Sequence, residues 1–174
     1  MRTAAVVLAA FVPMLFEARL AARHERALLA RGAREPADDV YRVMRVAYPA
    51  CFAAMTIEGW FVAGAAGALA LSSGVLFLCA KTLKYWAVAT LGCRWTFRVL
   101  VPPGSRPIAD GPYRFLRHPN YVAVAGELAG AALAAGAPIT GTVGTLGFCA
   151  LMWRRIGVEE RALAEGSAIE STDL

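Results

Sequence analysis

Two long apolar runs dominate the pattern of the chain. Arg45 and Lys81 bracket 35 residues whose only charge is Glu58, and Arg117 and Arg154 bracket 36 residues whose only charge is Glu127. One membrane-crossing helix needs about 20 apolar residues. Each run is therefore too long for a single crossing and reads as a helical hairpin, with turns near Trp60 to Gly67 and near Gly136-Ala137-Pro138. The apolar stretch from Thr3 to Phe16 resembles a secretory signal, but Glu17-Ala18-Arg19 closes it without a convincing cleavage site, which predicts a retained first span. The pattern predicts an all-α integral membrane protein with about five transmembrane helices, roughly 3–20, 44–61, 66–90, 120–135 and 138–156. It ends in a tight C-terminal helical hairpin.

Composition agrees with that reading. A hydrophobic share of 58% in 174 residues is high for a soluble domain and makes the bilayer the expected solvent. Residues 1–174 are expected to form a single membrane domain. The net charge of +5 then reports basic loops at an anionic leaflet rather than nucleic acid, which is not an expected partner. Seven basic residues fall between Arg19 and Arg45, seven between Lys81 and Arg117, and three between Arg154 and Arg161. Five spans with an outside N-terminus put all three clusters on the cytoplasmic side, as the positive-inside rule requires. The expected location is the inner membrane of a bacterium. The cysteines Cys51, Cys79, Cys93 and Cys149 form no CxxC pair, so free, buried thiols and no metal site are expected. The connection from His24 to Asp39 reads as a solvated surface loop. Trp95 to Val101 partly alternates, which suits a short hairpin or an ordered loop.

Chemistry concentrates in two polar motifs, one at each end of the second apolar run. Gly111-Pro112-Tyr113 and Arg117-His118-Pro119-Asn120-Tyr121 open it. Pro119 suits the first turn of a helix, which sets His118 and Tyr121 beside free backbone amides that favour an anion. At the far end Arg155 and Glu159, four apart, share a helix face, and Glu160 adjoins them. Paired carboxylates accept from ribose hydroxyls or an α-ammonium group, and an arginine clamps an anion. A basic interfacial anchor and a simple i,i+4 salt bridge are the plainer readings of the same residues. Glu127 falls about 10–14 Å inside the fourth helix at ~1.5 Å per residue, a depth where an ionisable group is a functional candidate. Glu58 falls near an outer turn, where interfacial solvation accounts for it.

The combination of Gly111-Pro112-Tyr113, Arg117-His118-Pro119-Asn120-Tyr121 and Arg155-x3-Glu159-Glu160 around an apolar hairpin resembles the isoprenylcysteine carboxyl methyltransferase family, over about residues 80–163. Lys84-Tyr85-Trp86, Trp95-Thr96-x-Arg98 and Glu25-Arg26-x4-Arg31-Gly32-Ala33-x-Glu35 look like its bacterial alkylpyrone O-methyltransferases, the partners of type III polyketide synthases. The resemblance implies a membrane enzyme that moves a methyl group from S-adenosylmethionine to a carboxylate or enolic hydroxyl of a lipidic acceptor. It implies a cytoplasmic cofactor pocket lined by Tyr113, His118, Pro119, Asn120, Tyr121, Glu159 and Glu160, with Ile108 from the preceding loop. It implies Arg155 at the acceptor. Glu127 is the candidate to orient the acceptor or take its proton, with interhelical hydrogen bonding as the alternative. Ser105-Arg106-Pro107-Ile108 departs from family loops that place a histidine or threonine there. Phospholipid N-methylation, and a non-catalytic membrane carrier or sensor, remain the other readings. No glycine-rich loop follows a strand, which argues against soluble-type methyl transfer.

Overall fold

The computed structural model describes residues 2–62, 70–102 and 108–172. It contains five helices among the described residues: α1 (Arg2–Ala30), α2 (Tyr41–Phe61), α3 (Ala70–Leu91), α4 (Pro119–Ala135) and α5 (Pro138–Thr172). Short 3-10 turns follow α3 (Gly92–Arg94) and precede α4 (Gly111–Arg114). The only β feature among them is an isolated antiparallel bridge between Arg34 and Val101. The expected all-α fold is therefore present. Helices α1 and α5 run well past the expected 20 and 156, because the charged stretches after each apolar run stay helical. The first expected turn, 60–67, lies largely outside the described residues.

One helix among the described residues, Leu71–Arg94, is by itself long and apolar enough to cross a membrane. The others carry charges at their ends or are shorter. They nevertheless expose large apolar side chains, among them Leu15 and Phe16 on α1, Ile57 on α2, Leu78 on α3 and Val143 and Leu146 on α5. Water does not tolerate such a belt well in a monomer.

Small residues set the packing. The turn between α4 and α5 is at Gly136, where φ is 68°. The Ala137 amide reaches the Ala132 carbonyl at 3.0 Å, closing the helix in a left-handed cap that glycine adopts without strain. Gly141 then presses on Ala132, where an added Cβ would come within 2.5 Å of the Ala132 Cβ. Gly126 and Gly130 of α4 face a different neighbour. A Cβ at Gly126 would meet Ala80 at 2.9 Å and one at Gly130 would meet the Phe77 backbone nitrogen at 2.9 Å, so these glycines seat α4 against α3 rather than against α5. Glu58 also differs from expectation. It caps the start of α5, accepting from the amides of Ile139 at 3.0 Å and Thr140 at 2.6 Å. A carboxylate at a helix N-terminus satisfies orphan amides and complements the dipole.

The segment after α3 is an ordered strap rather than a hairpin. Its Trp95 carbonyl lies 2.8 Å from His24 Nδ1, the Val99 amide donates to Asp39 at 2.9 Å, and Arg98 pairs with Glu35 at 3.0 Å and Glu25 at 3.7 Å. The first connection is therefore no free surface loop. His24 and Glu25 lie on the extended α1, and Glu35 to Asp39 bind the strap. The cysteines are free, but Cys79 and Cys93 are exposed instead of buried.

Candidate functional site

Pro119 begins α4, as its fixed backbone favours, with His118 as the flanking residue. Helix α5 brings Arg155 and Glu159 to the same place. They do not touch each other. The hydroxyl of Tyr121 stands between them, accepting from Arg155 Nε at 3.0 Å and donating to Glu159 Oε2 at 2.9 Å. The i,i+4 pair is thus a relay through a residue of the opposite motif. His118 continues it, with Nδ1 3.9 Å from Glu159 and Nε2 3.4 Å from Glu160. Arg117 reaches Glu160 at 3.3 Å but is exposed, as is Arg114.

Arg155 is 6% exposed and its guanidinium is held on every side. One terminal nitrogen faces Asp39 at 3.6 Å and Met44 Sδ at 3.9 Å, and the other donates to the Phe97 carbonyl of the strap. Asp39, itself nearly buried, also accepts from the Tyr41 amide at 3.1 Å at the start of α2. Arg155 therefore joins α5, α4, the strap and the first connection at one point.

Two cavities meet there. One, about 110 Å³, is polar and lined by Tyr113, His118, Asn120, Tyr121, Arg155 and Glu159 beneath strap residues Arg98 to Val101. Burial pushes the Tyr113 phenol well above its ordinary pKa, and the Glu159 carboxylate adds to the effect, so it stays a neutral hydroxyl there. The second cavity, about 280 Å³, is largely apolar and runs down between α1, α2 and α5 past Met14, Met44, Tyr48, Val124, Phe148 and Met152. Trp95, Thr96, Asn120, Tyr121 and Arg155 line both and form the wall between them. Two atoms of that wall, Trp95 Nε1 and Asn120 Oδ1, are buried without a hydrogen-bond partner.

The expected site residues divide accordingly. Tyr113, His118, Asn120, Tyr121, Glu159 and Arg155 converge on the polar cavity, while Pro119 is buried beneath it as the helix start and Glu160 reaches it only through His118. Ile108 lines neither cavity, and Ser105 to Pro107 lie outside the described residues. Glu127 is fully buried and lines neither cavity. It belongs to a ring of alternating charge. Lys81 lies 3.1 Å from Glu17 and 3.2 Å from Glu127, and Lys84 lies 2.6 Å from Glu17 and 3.3 Å from Glu127. The Tyr48 hydroxyl donates to Glu127 as well. Of the ring, Glu17 and Lys84 reach the floor of the apolar cavity beside Tyr48.

Reading by motif passes over Asp39, the strap wall and this ring. The ring had a signal, since Glu17, Lys81 and Lys84 are charges that close apolar runs yet fall inside helices α1 and α3, where ionisable groups need partners. Asp39 had none, because a carboxylate in a short loop carries no periodicity.

The comparisons with known proteins fall on the same region. The family model described as isoprenylcysteine carboxyl methyltransferase (ICMT) family matches residues 73–165, which contain α4, the strap and both polar motifs. The chain is also 33% identical over 97 residues to the uncharacterized protein YpbQ of Bacillus subtilis (strain 168). That alignment covers 56% of this chain and 58% of YpbQ, so the chain spans little more than half the length of that relative. No solved structure matches. The matched residues exceed half of the sequence, and the chain belongs to the isoprenylcysteine carboxyl methyltransferase family.

Proposed function

We propose that the protein is an S-adenosylmethionine-dependent O-methyltransferase of the membrane, acting on a carboxylate or enolic oxygen of a lipidic acceptor. The observation that carries this reading is the pair of cavities, one polar and one apolar, that share a wall containing Arg155. Together they fall in the range of about 300–1,000 Å³ common to small-molecule sites. A donor that is polar and an acceptor that is greasy each find a matching half.

The residues of the polar half suit the donor. Glu159 offers carboxylate oxygens, His118, backed by Glu160, and Tyr113 offer ring groups, and Asn120 Oδ1 is a buried acceptor with nothing yet to accept. When bound, S-adenosylmethionine supplies a sulfonium methyl group that is already activated. The protein then has to align and to exclude water. Tyr121 fixes Arg155 and Glu159 relative to each other, so the acceptor side and the donor side move as one unit. Arg155 holds the anionic oxygen, which is already ionised near neutral pH and needs no base. The strap covers both cavities and keeps water from the wall.

The apolar half opens between α1 and α2, where Leu15 is 60% exposed and Arg45 is also exposed. A hydrocarbon chain leaves sideways through this gap into lipid, with the Arg45 guanidinium near the headgroup level. The five helices are read as five spans with both motifs at the cytoplasmic face of a bacterial inner membrane, which the grouping of basic residues supports. Glu127, fully buried in the ring, is read as holding helices in register and as positioning Lys84 and Tyr48 at the cavity floor, not as the base. A type III polyketide synthase as supplier of the acceptor rests on motif resemblance alone.

Calorimetry with S-adenosylhomocysteine on the detergent-solubilised protein tests the donor side, and labelled methyl transfer to bacterial lipid extracts, read by mass spectrometry, tests the acceptor side. Absence of S-adenosylhomocysteine binding removes the methyltransferase reading altogether.

A further inference from the structure

The wall between the two cavities holds a hydrogen-bond donor that nothing in the fold uses. Trp95 is 3% exposed and lines both cavities, and its Nε1 is buried without a partner. Its position is well determined by other contacts. Its amide donates to the Gly92 carbonyl at 3.1 Å, its carbonyl meets His24 at 2.8 Å, and its ring stacks edge-on to Phe97 at 5.4 Å. An indole N–H is a donor only, and leaving one buried and unpaired costs about 1–3 kcal/mol. Such groups are few in native structures, and a catalytic or ligand-binding role is one of the reasons that keep them.

Arg155, the cation of this wall, is held in place by Tyr121, Asp39 and Phe97, which fixes it as one contact for the acceptor. The Trp95 indole lines the same wall with its N–H unpaired, which makes it a second contact for the acceptor. We propose that Trp95 donates this hydrogen bond to the oxygen that receives the methyl group, and that it thereby selects oxygen acceptors over amines. This rests on the methyltransferase reading above.

The selectivity follows from lone pairs. A carboxylate or enolate oxygen accepts from the indole with one lone pair and attacks with another. As the new O–CH₃ bond forms, the S–CH₃ bond breaks with its electron pair left on sulfur, and the indole keeps its proton throughout. A neutral amine has one lone pair, and giving it to the indole removes its nucleophile. An ammonium has none to give. The donor also favours the charged oxygen before reaction more than the partly neutralised oxygen during it. Its loss should therefore appear in KM, with kcat unchanged or slightly higher.

Two measurements on the full-length protein in nanodiscs test this. In the first, Trp95→Phe, which keeps the ring and removes the N–H, is compared with the native protein using laurate and dodecylamine as matched probes. We expect KM for methyl transfer to laurate to rise roughly 5- to 150-fold, the equivalent of the ~1–3 kcal/mol of one buried hydrogen bond, with no rise for the amine. An unchanged laurate KM, or an equal rise for both probes, overturns the assignment.

The second measurement needs neither turnover nor a folded variant. The indole ¹H–¹⁵N signals of the four tryptophans are followed as each probe is added in the presence of S-adenosylhomocysteine. One indole proton should move downfield with laurate and stay with dodecylamine. No movement with laurate overturns the proposal. Movement without any methyl transfer leaves the oxygen site standing and removes only the reaction assigned to it.

Discussion

Tyr121 does more at the residue scale than its place in a motif suggests. It belongs to the helix that starts at Pro119, yet its hydroxyl lies between two side chains of α5 and replaces the direct salt bridge that their spacing suggests. Removing that hydroxyl leaves the buried Arg155 short of a partner and releases Glu159, whose side chain is 35% exposed. Tyr121→Phe should lower kcat/KM by roughly 10- to 100-fold, at about 1–3 kcal/mol for the lost bonds, and weaken S-adenosylhomocysteine binding in calorimetry. Arg155→Lys keeps the charge but loses the planar fork that spans Tyr121, Asp39 and Phe97, so acceptor turnover should fall more than tenfold. Normal turnover of lipid substrate by that variant rules out Arg155 as the acceptor clamp. The motif residues were legible in advance because their identities are unusual together. Their mutual geometry was not, because it depends on how two helices meet.

Glycines and buried charges decide the packing of the elements. Gly130 lies against the backbone of Phe77, so the main chains of α3 and α4 approach closely, whereas Gly147 on α5 has nothing near its missing side chain. Gly130→Ala should destabilise the protein by about 1–3 kcal/mol through overpacking, and Gly147→Ala should be neutral or stabilise by up to ~1 kcal/mol. Thermal unfolding in detergent distinguishes the two, and equal shifts contradict the packing described. The charge ring joins α1, α3 and α4 at one level. Deleting one member of a buried ion network strands its partners, at about 3–5 kcal/mol. Lys84→Met should therefore destabilise strongly, while Lys84→Met with Glu17→Met, which keeps the ring neutral, should recover much of the loss. By its sequence α4 is rich in glycine and alanine. Which neighbour it faces is a matter of which helix arrives there.

On the scale of the whole molecule, the five helices among the described residues stand around two cavities that meet at one wall, and the charged ends of α1, the strap and α5 gather on one side, tied through Arg98 to Glu25 and Arg161 to Asp38. That grouping predicts a cytoplasmic C-terminus and an N-terminus on the other face. A green fluorescent protein fused after Leu174 should fluoresce in bacteria, and one fused before Met1 and exported should not. A dark C-terminal fusion in cells that express the protein contradicts the five-span reading. The apolar cavity belongs to this scale as well, since residues of α1, α2, α4 and α5 together line it.

The sequence by itself determined what depends on local order. Apolar runs of a given length, prolines at helix starts, Gly136 at the turn and the clustering of Arg and Lys specify helices, their approximate limits and the two polar motifs. The tertiary structure alone decided which of these residues share a site. It turned the first connection into the support of the strap, set Glu127 in a closed ion ring, and left Trp95 with an unused N–H on the wall. Those outcomes arise from contacts between residues tens of positions apart. Such contacts leave no period in the sequence, because each is fixed by the packing of whole helices rather than by the neighbours of either residue.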